Sequence, residues 1–205
     1  MENSIQLYSI SDRYIKFLRQ DRRLSNALDN KENARSHTRK YLGVVIYRNS
    51  RTYYIPFSSP KSSDYLTDES GNFILDSDGD KIIRKSVVPI IRMVSNDSVT
   101  NKPELKGTIR ISNMIPVPTS ELTPYDISSE TDSSYKIVVM KEYGFIKANI
   151  SLINRNANNL YNEKVNENTI FIGNRKKPKY LNSTIDFTYA ELKCKEFCRQ
   201  NNIAY

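Results

Sequence analysis

Histidine is almost missing from this 205-residue chain, where His37 stands alone. Acid–base catalysis by a pair of imidazoles is thereby excluded. Cysteine is nearly as scarce: Cys194 and Cys198 sit four apart in "ELKCKEFC". With one histidine and no further cysteine, the usual four-ligand zinc set cannot be assembled, and the two thiols read as small residues packing a terminal helix. The six glycines are scattered. The chain has no G-x-G-x-x-G, G-x-x-x-x-G-K-[ST], G-x-S-x-G or H-E-x-x-H, which sets aside the common nucleotide-binding, serine-hydrolase and zinc-protease arrangements. No group of carboxylates falls at metal spacing, which argues against two-metal phosphodiester chemistry and predicts no metal and no cofactor. Apolar runs such as "LGVVIY" and "VVPIIRMV" are strand-sized, far short of the ~20 residues that span a bilayer. The opening "MENSIQLYSISDRY" lacks the basic and apolar regions of a secretory signal. The expectation is a cytoplasmic protein without a membrane partner.

What the chain has is positive charge, unevenly spread. Thirty-one Lys and Arg outnumber 23 Asp and Glu, for a net charge of +8. Arg19, Arg22, Arg23, Lys31, Arg35, Arg39 and Lys40 crowd one segment against Asp21, Asp29 and Glu32. "GNRKKPKY" adds Arg175, Lys176, Lys177 and Lys179 with no acid, whereas acids collect in "DYLTDESGNFILDSDGD" and in 121–132. Such segregation points to a polyanionic partner, nucleic acid first, with a merely solvated surface as the bland alternative.

The hydrophobic pattern reads as one α+β domain over 1–205, with no repeats and no low-complexity tract. "IQLYSI" alternates as a strand, and Ser11 is placed to cap a short helix carrying Tyr14, Phe17 and Leu18. "YLGVVIYR" and "RTYYIPF" flank a tight "NS" turn as a hairpin. "DESGNFILDSDGDKII" suggests a small hairpin with "FIL" and "KII" as arms. Its Asp76–Asp80 run resembles a calcium loop only superficially, because the glycine comes fourth and Val87 stands where the last ligand would be, so it reads as a turn. "SVVPIIRMV" predicts a strand in which Pro89 implies an edge or bulge position, and "GTIRISNMIPVP" one or two more. The segment 119–134 reads as polar loop. Val138, Val139, Tyr143, Ile146 and Ile150 recur at helical spacing, and "FTYAELKCKEFCRQ", capped near Asp186, closes the chain as a helix.

One stretch stands out chemically. "TYYIPFSSPKS" ends an aromatic strand in Ser58, Ser59, Pro60 and Lys61. Serine, proline and lysine are ordinary turn formers, so an exposed turn is one reading. The other is phosphate chemistry. RNA carries its own nucleophile, the 2′-OH, beside each phosphate. Two hydroxyls and an ammonium can align that attack and hold the developing charge without metal or covalent intermediate.

"YLGVVIYRNSRTYYIPFSSPK" resembles the N-terminal hairpin of the ToxN/AbiQ family of type III toxin–antitoxin endoribonucleases, in which a strand ends in [ST]-S-P-K. "IQLYSISDRYIKFLR", "IRISNMIPVP", "YKIVVMKEYGFIKAN" and "FTYAELKCKEF" resemble, in order, that family's opening strand and helix, central strand, long helix and terminal helix. Stretches 64–86 and 169–182 look like insertions. The resemblance implies a Kid/MazF-like fold, a twisted and partly barrel-like antiparallel sheet with packed helices. It implies metal-independent cleavage of single-stranded RNA to a 2′,3′-cyclic phosphate and a 5′-hydroxyl. It also implies a small structured RNA antitoxin, encoded as repeats, which the toxin processes and which inhibits it in a closed protein–RNA oligomer, with cellular or phage RNA as targets. By position, Ser58 and Ser59 would orient the 2′-OH and bind phosphate, Lys61 would stabilise the transition state, and Arg39 or Lys40 would hold RNA backbone. Some relatives carry a loop tyrosine where this chain has "ARSHTRKY", leaving Arg35 or His37 as its replacement and His37 as a possible proton carrier. Tyr41 is a candidate for base stacking, and Lys176 and Lys177 for backbone contacts. A nucleic-acid-binding module without catalysis is the alternative, and a protein–protein interaction domain a third.

Overall fold

The computed structural model describes residues 5–30, 37–97, 99–172 and 176–204. The hairpin organises the rest. Strand β2 (Tyr41–Arg48) turns through Asn49 and Ser50, both at positive φ (49° and 62°), into β3 (Arg51–Ser58). Left-handed φ at both central residues matches the right-handed twist of the flanking strands. β3 then becomes the centre of the sheet. Its C-terminal end pairs with β5 (Pro103–Arg110) through Phe57↔Ile109 and Ser58↔Thr108. Its N-terminal half pairs with the short β6 (Ile115–Pro116) through Tyr53↔Pro116 and Tyr54↔Ile115.

Outward from the hairpin lie β1 (Leu7–Ile10) and β7 (Leu122–Tyr125) on one side, and β5 then β4 (Ile90–Asn96) on the other. All pairings are antiparallel, in the order β4-β5-β3-β2-β1-β7. The fold is α+β as expected, and the sheet is open rather than closed into a barrel. β4 occupies the edge that Pro89 predicts. The segment read as polar loop after residue 119 contains β7, which pairs with β1 over four residues. "LTPY" has a proline and no apolar alternation, so only the partner strand makes it β. The 64–86 excursion is not a regular hairpin: isolated bridges Tyr65↔Ile83, Thr67↔Phe73 and Leu75↔Lys81 hold it. Within it Asp76 Oδ1 accepts the Asp78 and Asp80 N–H groups, each at 2.9 Å, so the acidic run is a turn.

Helix α1 (Asp12–Arg19) starts at Ser11, whose Oγ accepts the Tyr14 N–H at 3.3 Å. The predicted long helix is one 33-residue rod, α2 (Ser133–Val165), capped by Asp132. Short helices α3 (Glu167–Ile170) and α4 (Tyr180–Ser183) lead to α5 (Phe187–Gln200), capped by Asp186 as expected. α2 packs on β2, β4 and β5, while α5 packs on α1, α2 and β6. The core joins Leu7, Tyr14, Tyr41, Phe57, Ile91, Ile109, Val139, Ile146, Phe187 and Phe197. Cys194 and Cys198 are buried free thiols on α5, and burial pushes the Cys194 thiol up to about 11. Among the described residues no helix is long and apolar enough to cross a membrane.

Candidate active site at the end of strand β3

The Ser58–Lys61 turn leaves the sheet where β3 loses its last partner. Ser58 is the final strand residue and is 3% exposed, whereas Ser59, Pro60 and Lys61 face solvent. A chain of polar contacts fastens both ends of this turn. At one end Thr108 Oγ1 donates to the Ser58 carbonyl at 3.3 Å. Arg110 Nε donates to Thr108 Oγ1 at 3.0 Å, and Arg110 Nη2 lies 3.4 Å from Asp64 Oδ2. At the other end the Lys61 N–H donates to the same Asp64 oxygen at 3.0 Å, and the Asp64 N–H returns to the Lys61 carbonyl at 2.9 Å. Ser58, Thr108, Arg110, Asp64 and Lys61 thus close a ring that fixes the backbone carrying Ser59 and Lys61.

Asp64 is the hub. It is 1% exposed and also pairs with Arg92 Nη2 at 3.0 Å. A carboxylate that deep is tolerated only when cations and donors replace its water, and here two arginines and a backbone N–H do so. Arg92 is itself held by the Lys85 carbonyl at 2.8 Å, and the Asp64 carbonyl accepts the Arg84 N–H at 2.9 Å. The excursion after the turn is therefore anchored at its base on the same cluster.

Sequence reasoning missed Asp64, Arg92, Arg110 and Thr108. The signal was available: Asp64 stands three after Lys61, the spacing that closes one tight turn. Arg92 and Arg110 interrupt apolar strands, "IIRMV" and "TIRIS", where a buried guanidinium demands a carboxylate.

The remaining expected residues divide. Arg39 is 0% exposed: Nε donates to the Asp29 carbonyl at 3.0 Å and Nη1 to the Phe57 carbonyl. This corrects the expected contact with RNA backbone, because a guanidinium enclosed by its own chain cannot reach a phosphate; it props the strand one residue before Ser58. Tyr41 is likewise buried, its hydroxyl 3.3 Å from Asn30 Oδ1, so it is a core residue and not a stacking platform. Lys40, 8% exposed, sets its ammonium 3.8 Å from the Tyr125 ring centroid; burial lowers its pKa, with Glu130 partly opposing. His37 stacks on Tyr135 with ring centroids 3.8 Å apart and pairs with Asp132 at 3.2 Å, which joins the loop before β2 to the start of α2. Arg35 lies outside the described residues. Lys176 and Lys177 are exposed, and Lys177 pairs with Glu167 at 2.8 Å. Among the described residues no three His, Cys, Asp or Glu side chains gather as a metal site.

Known proteins share both sequence and shape with this chain. Residues 6–195 match the family described as Toxin ToxN, type III toxin-antitoxin system. The chain is 26% identical over 195 residues to the endoribonuclease ToxN of Bacillus thuringiensis subsp. kurstaki, covering 94% of this chain and 84% of that protein. It is 24% identical to the endoribonuclease AbiQ of Lactococcus lactis subsp. lactis, covering 97% and 92%. A solved structure from work on type III toxin–antitoxin systems, in which a non-coding RNA pseudoknot selectively inhibits the toxin, superposes with a TM-score of 0.67 at 25% identity. That match covers 95% of this chain and 98% of the other.

Proposed function

Because this chain belongs to the ToxN toxin family of type III toxin–antitoxin systems, we propose that it is an endoribonuclease that cuts single-stranded RNA at the Ser58–Lys61 turn. The observation that carries the assignment is the ring of contacts that holds this turn rigid while leaving Ser59 and Lys61 exposed. Rigid placement matters because well-oriented groups supply about 7–11 kcal/mol of a barrier through prepaid entropy. The ribose 2′-oxygen attacks the adjacent phosphorus, the bond to the 5′-oxygen breaks, and a 2′,3′-cyclic phosphate and a 5′-hydroxyl result. Lys61 offsets the charge that accumulates on the equatorial oxygens, and Ser59 orients the attacking 2′-OH. Ser58, expected with Ser59 to orient the 2′-OH and bind phosphate, is turned out of solvent and is reassigned to supporting the turn from within the sheet. Lys176, Lys177 and the Arg22–Arg23 turn supply backbone attraction.

The partner is a small folded RNA derived from a repeat array, which this toxin trims and which then blocks it in a closed protein–RNA assembly. The site of action is the cytoplasm, and the biological outcome is growth arrest or abortion of phage infection. Incubation of purified protein with A-rich single-stranded RNA in excess EDTA is the test. Cleavage should persist, leave cyclic phosphate ends, and fall by about 10²–10³ in Lys61→Ala, the usual cost of removing one charge-stabilising donor. RNA binding without cut ends would replace this reading with a non-catalytic RNA-binding module.

A further inference from the structure

The 64–86 excursion leaves a groove of about 580 Å³ against β4 and the start of β5. Ile82 and Ile83 wall it from the excursion, Val94 and Pro103 from the strands, and Lys85, Ser86 and Arg92 line it as well. An apolar space of this size with a few placed polar groups has the form of a small-ligand subsite. It also adjoins the turn. Arg92 Nη1 donates to the Lys85 carbonyl at 2.8 Å, Arg92 Nη2 meets Asp64 at 3.0 Å, and Asp64 accepts the Lys61 N–H at 3.0 Å. Three contacts therefore lead from the groove wall to the backbone of Lys61. Ser86 Oγ accepts the Arg92 N–H at 2.8 Å, which leaves its own O–H to donate outward. Lys85 is exposed, and its ammonium pairs with no acid among the described residues. The acids of the groove lie elsewhere. Asp76, Asp78 and Asp80 belong to the turn enclosed by the Leu75↔Lys81 bridge, whereas Arg84 and Lys85 follow the Tyr65↔Ile83 bridge at the base. Lys102 pairs with Asp78 at 3.2 Å and Asp80 at 2.6 Å, and Asp76 accepts backbone N–H groups. The end near the Ser58–Lys61 turn thus keeps the positive charge that a phosphate complements.

We propose that this groove holds a nucleotide flanking the cut, with a phosphate of the same RNA strand on the Lys85 ammonium and Ser86 hydroxyl and a base against the apolar walls. This rests on the Ser58–Lys61 turn being the cleavage site. A strand that runs from the turn into the groove exchanges condensed counterions for Lys85 and takes one base out of water. Sites for single-stranded nucleic acid combine these same two parts, a cation that follows the backbone and a surface that receives the base. Lys85 is a binding residue here, and the chemistry stays with Ser59 and Lys61. Its backbone carbonyl holds Arg92 whatever side chain the residue carries, so a substitution leaves the Asp64 cluster standing.

The test is single-turnover cleavage of an RNA cut at one position, and of the same RNA shortened close to the cut on its 5′ side or on its 3′ side. Lys85→Ala, Lys85→Arg and Lys61→Ala are run beside the wild type, with melting temperatures in parallel. On the full RNA, Lys85→Ala should raise the half-saturating concentration roughly tenfold, the size of one charge-assisted contact. Its maximal rate should stay near that of the wild type, and the log–log salt slope should shrink by about 1. Lys85→Arg, which keeps the cation, should recover the affinity. One of the two shortened RNAs should bind the wild type more weakly, and on that RNA Lys85→Ala and wild type should behave alike. An equal penalty on both shortened RNAs would mean diffuse attraction and overturn the groove assignment. A full-RNA affinity unchanged in Lys85→Ala, while Lys61→Ala is inactive, would leave the turn as the site and remove the groove from it. A maximal rate and melting temperature that fall together would place Lys85 in the scaffold and overturn its role as an RNA ligand. If Lys61→Ala is fully active, the site lies elsewhere and the proposal falls with it.

Discussion

Replacing Asp64 by alanine should damage stability and catalysis together, and the two losses separate cleanly. The carboxylate is 1% exposed and meets Arg92 at 3.0 Å, Arg110 at 3.4 Å and the Lys61 N–H at 3.0 Å. Its removal leaves two enclosed guanidiniums without an anion, a loss of about 3–5 kcal/mol when one partner of a buried pair is deleted. For a domain of this size each kcal/mol moves the melting temperature by about 2–4 °C, so the midpoint should fall by roughly 6–20 °C. The backbone of Lys61 also loses its tether, and a displacement of about 1 Å at a catalytic group costs on the order of 10² in rate. Thermal melts followed by circular dichroism give the first number. Single-turnover cleavage, recorded well below the variant's melting point, gives the second. The triple variant Asp64→Leu/Arg92→Met/Arg110→Leu sharpens the comparison, since apolar replacement of a whole buried ion cluster is often neutral or stabilising. It should regain most of the melting temperature and none of the cleavage. A melting point within 2 °C of wild type for Asp64→Ala, or full cleavage by the triple variant, would refute the view that this cluster sets the turn.

At the hairpin tip, Ser50 holds φ at 62°, so Ser50→Gly should raise unfolding free energy by about 1 kcal/mol in urea titration; a loss instead would mean that the serine makes a compensating contact. Asp97 accepts the Val99 and Thr100 N–H groups and the Thr100 hydroxyl, chiefly the Thr100 backbone, which pulls its carboxyl down to about 2. A lowered folded-state value stabilises above the unfolded value of 3.8 and is lost as pH falls from about 4 towards 2. Urea midpoints should therefore drop over that window, and Asp97→Asn should flatten the drop. Lys177 already faces Glu167, so Lys176→Ala should weaken RNA affinity more than Lys177→Ala does, reducing the log–log salt slope by about 1; equal effects would sink that ranking.

Much of this was legible because local chemistry and tertiary demand agree. Ser11, Asp132 and Asp186 each cap a helix; of these, Ser11 and Asp186 could be named from spacing alone. The hairpin follows from two β-rich runs about a tight turn. What escaped depends on neighbours distant in sequence. β7 has little strand character and exists because β1 offers it an edge. Arg39 and Tyr41 look like RNA ligands in a basic, aromatic stretch, yet the pleat turns them inward. The candidate turn itself was visible as Ser58-Ser59-Pro60-Lys61, but its scaffold was not, since Asp64, Arg92 and Arg110 come from three separate segments that only folding assembles.

The unbroken length of α2 has a consequence for how this chain can change. At its first turn Asp132 and Tyr135 hold His37; within its first third Glu142 overlies β5; towards its end Asn158 Oδ1 accepts from Arg48 at 2.6 Å and the Tyr161 hydroxyl accepts from the hairpin-tip Asn49 at 3.1 Å. Each fixture depends on the rotation at which the rod presents it. A single residue added between 147 and 152 would swing everything beyond it by about 100°, aiming Asn158 and Tyr161 away from the hairpin. Length can drift in the 64–86 excursion, which isolated bridges hold, whereas the rod accepts substitutions but not a change of count.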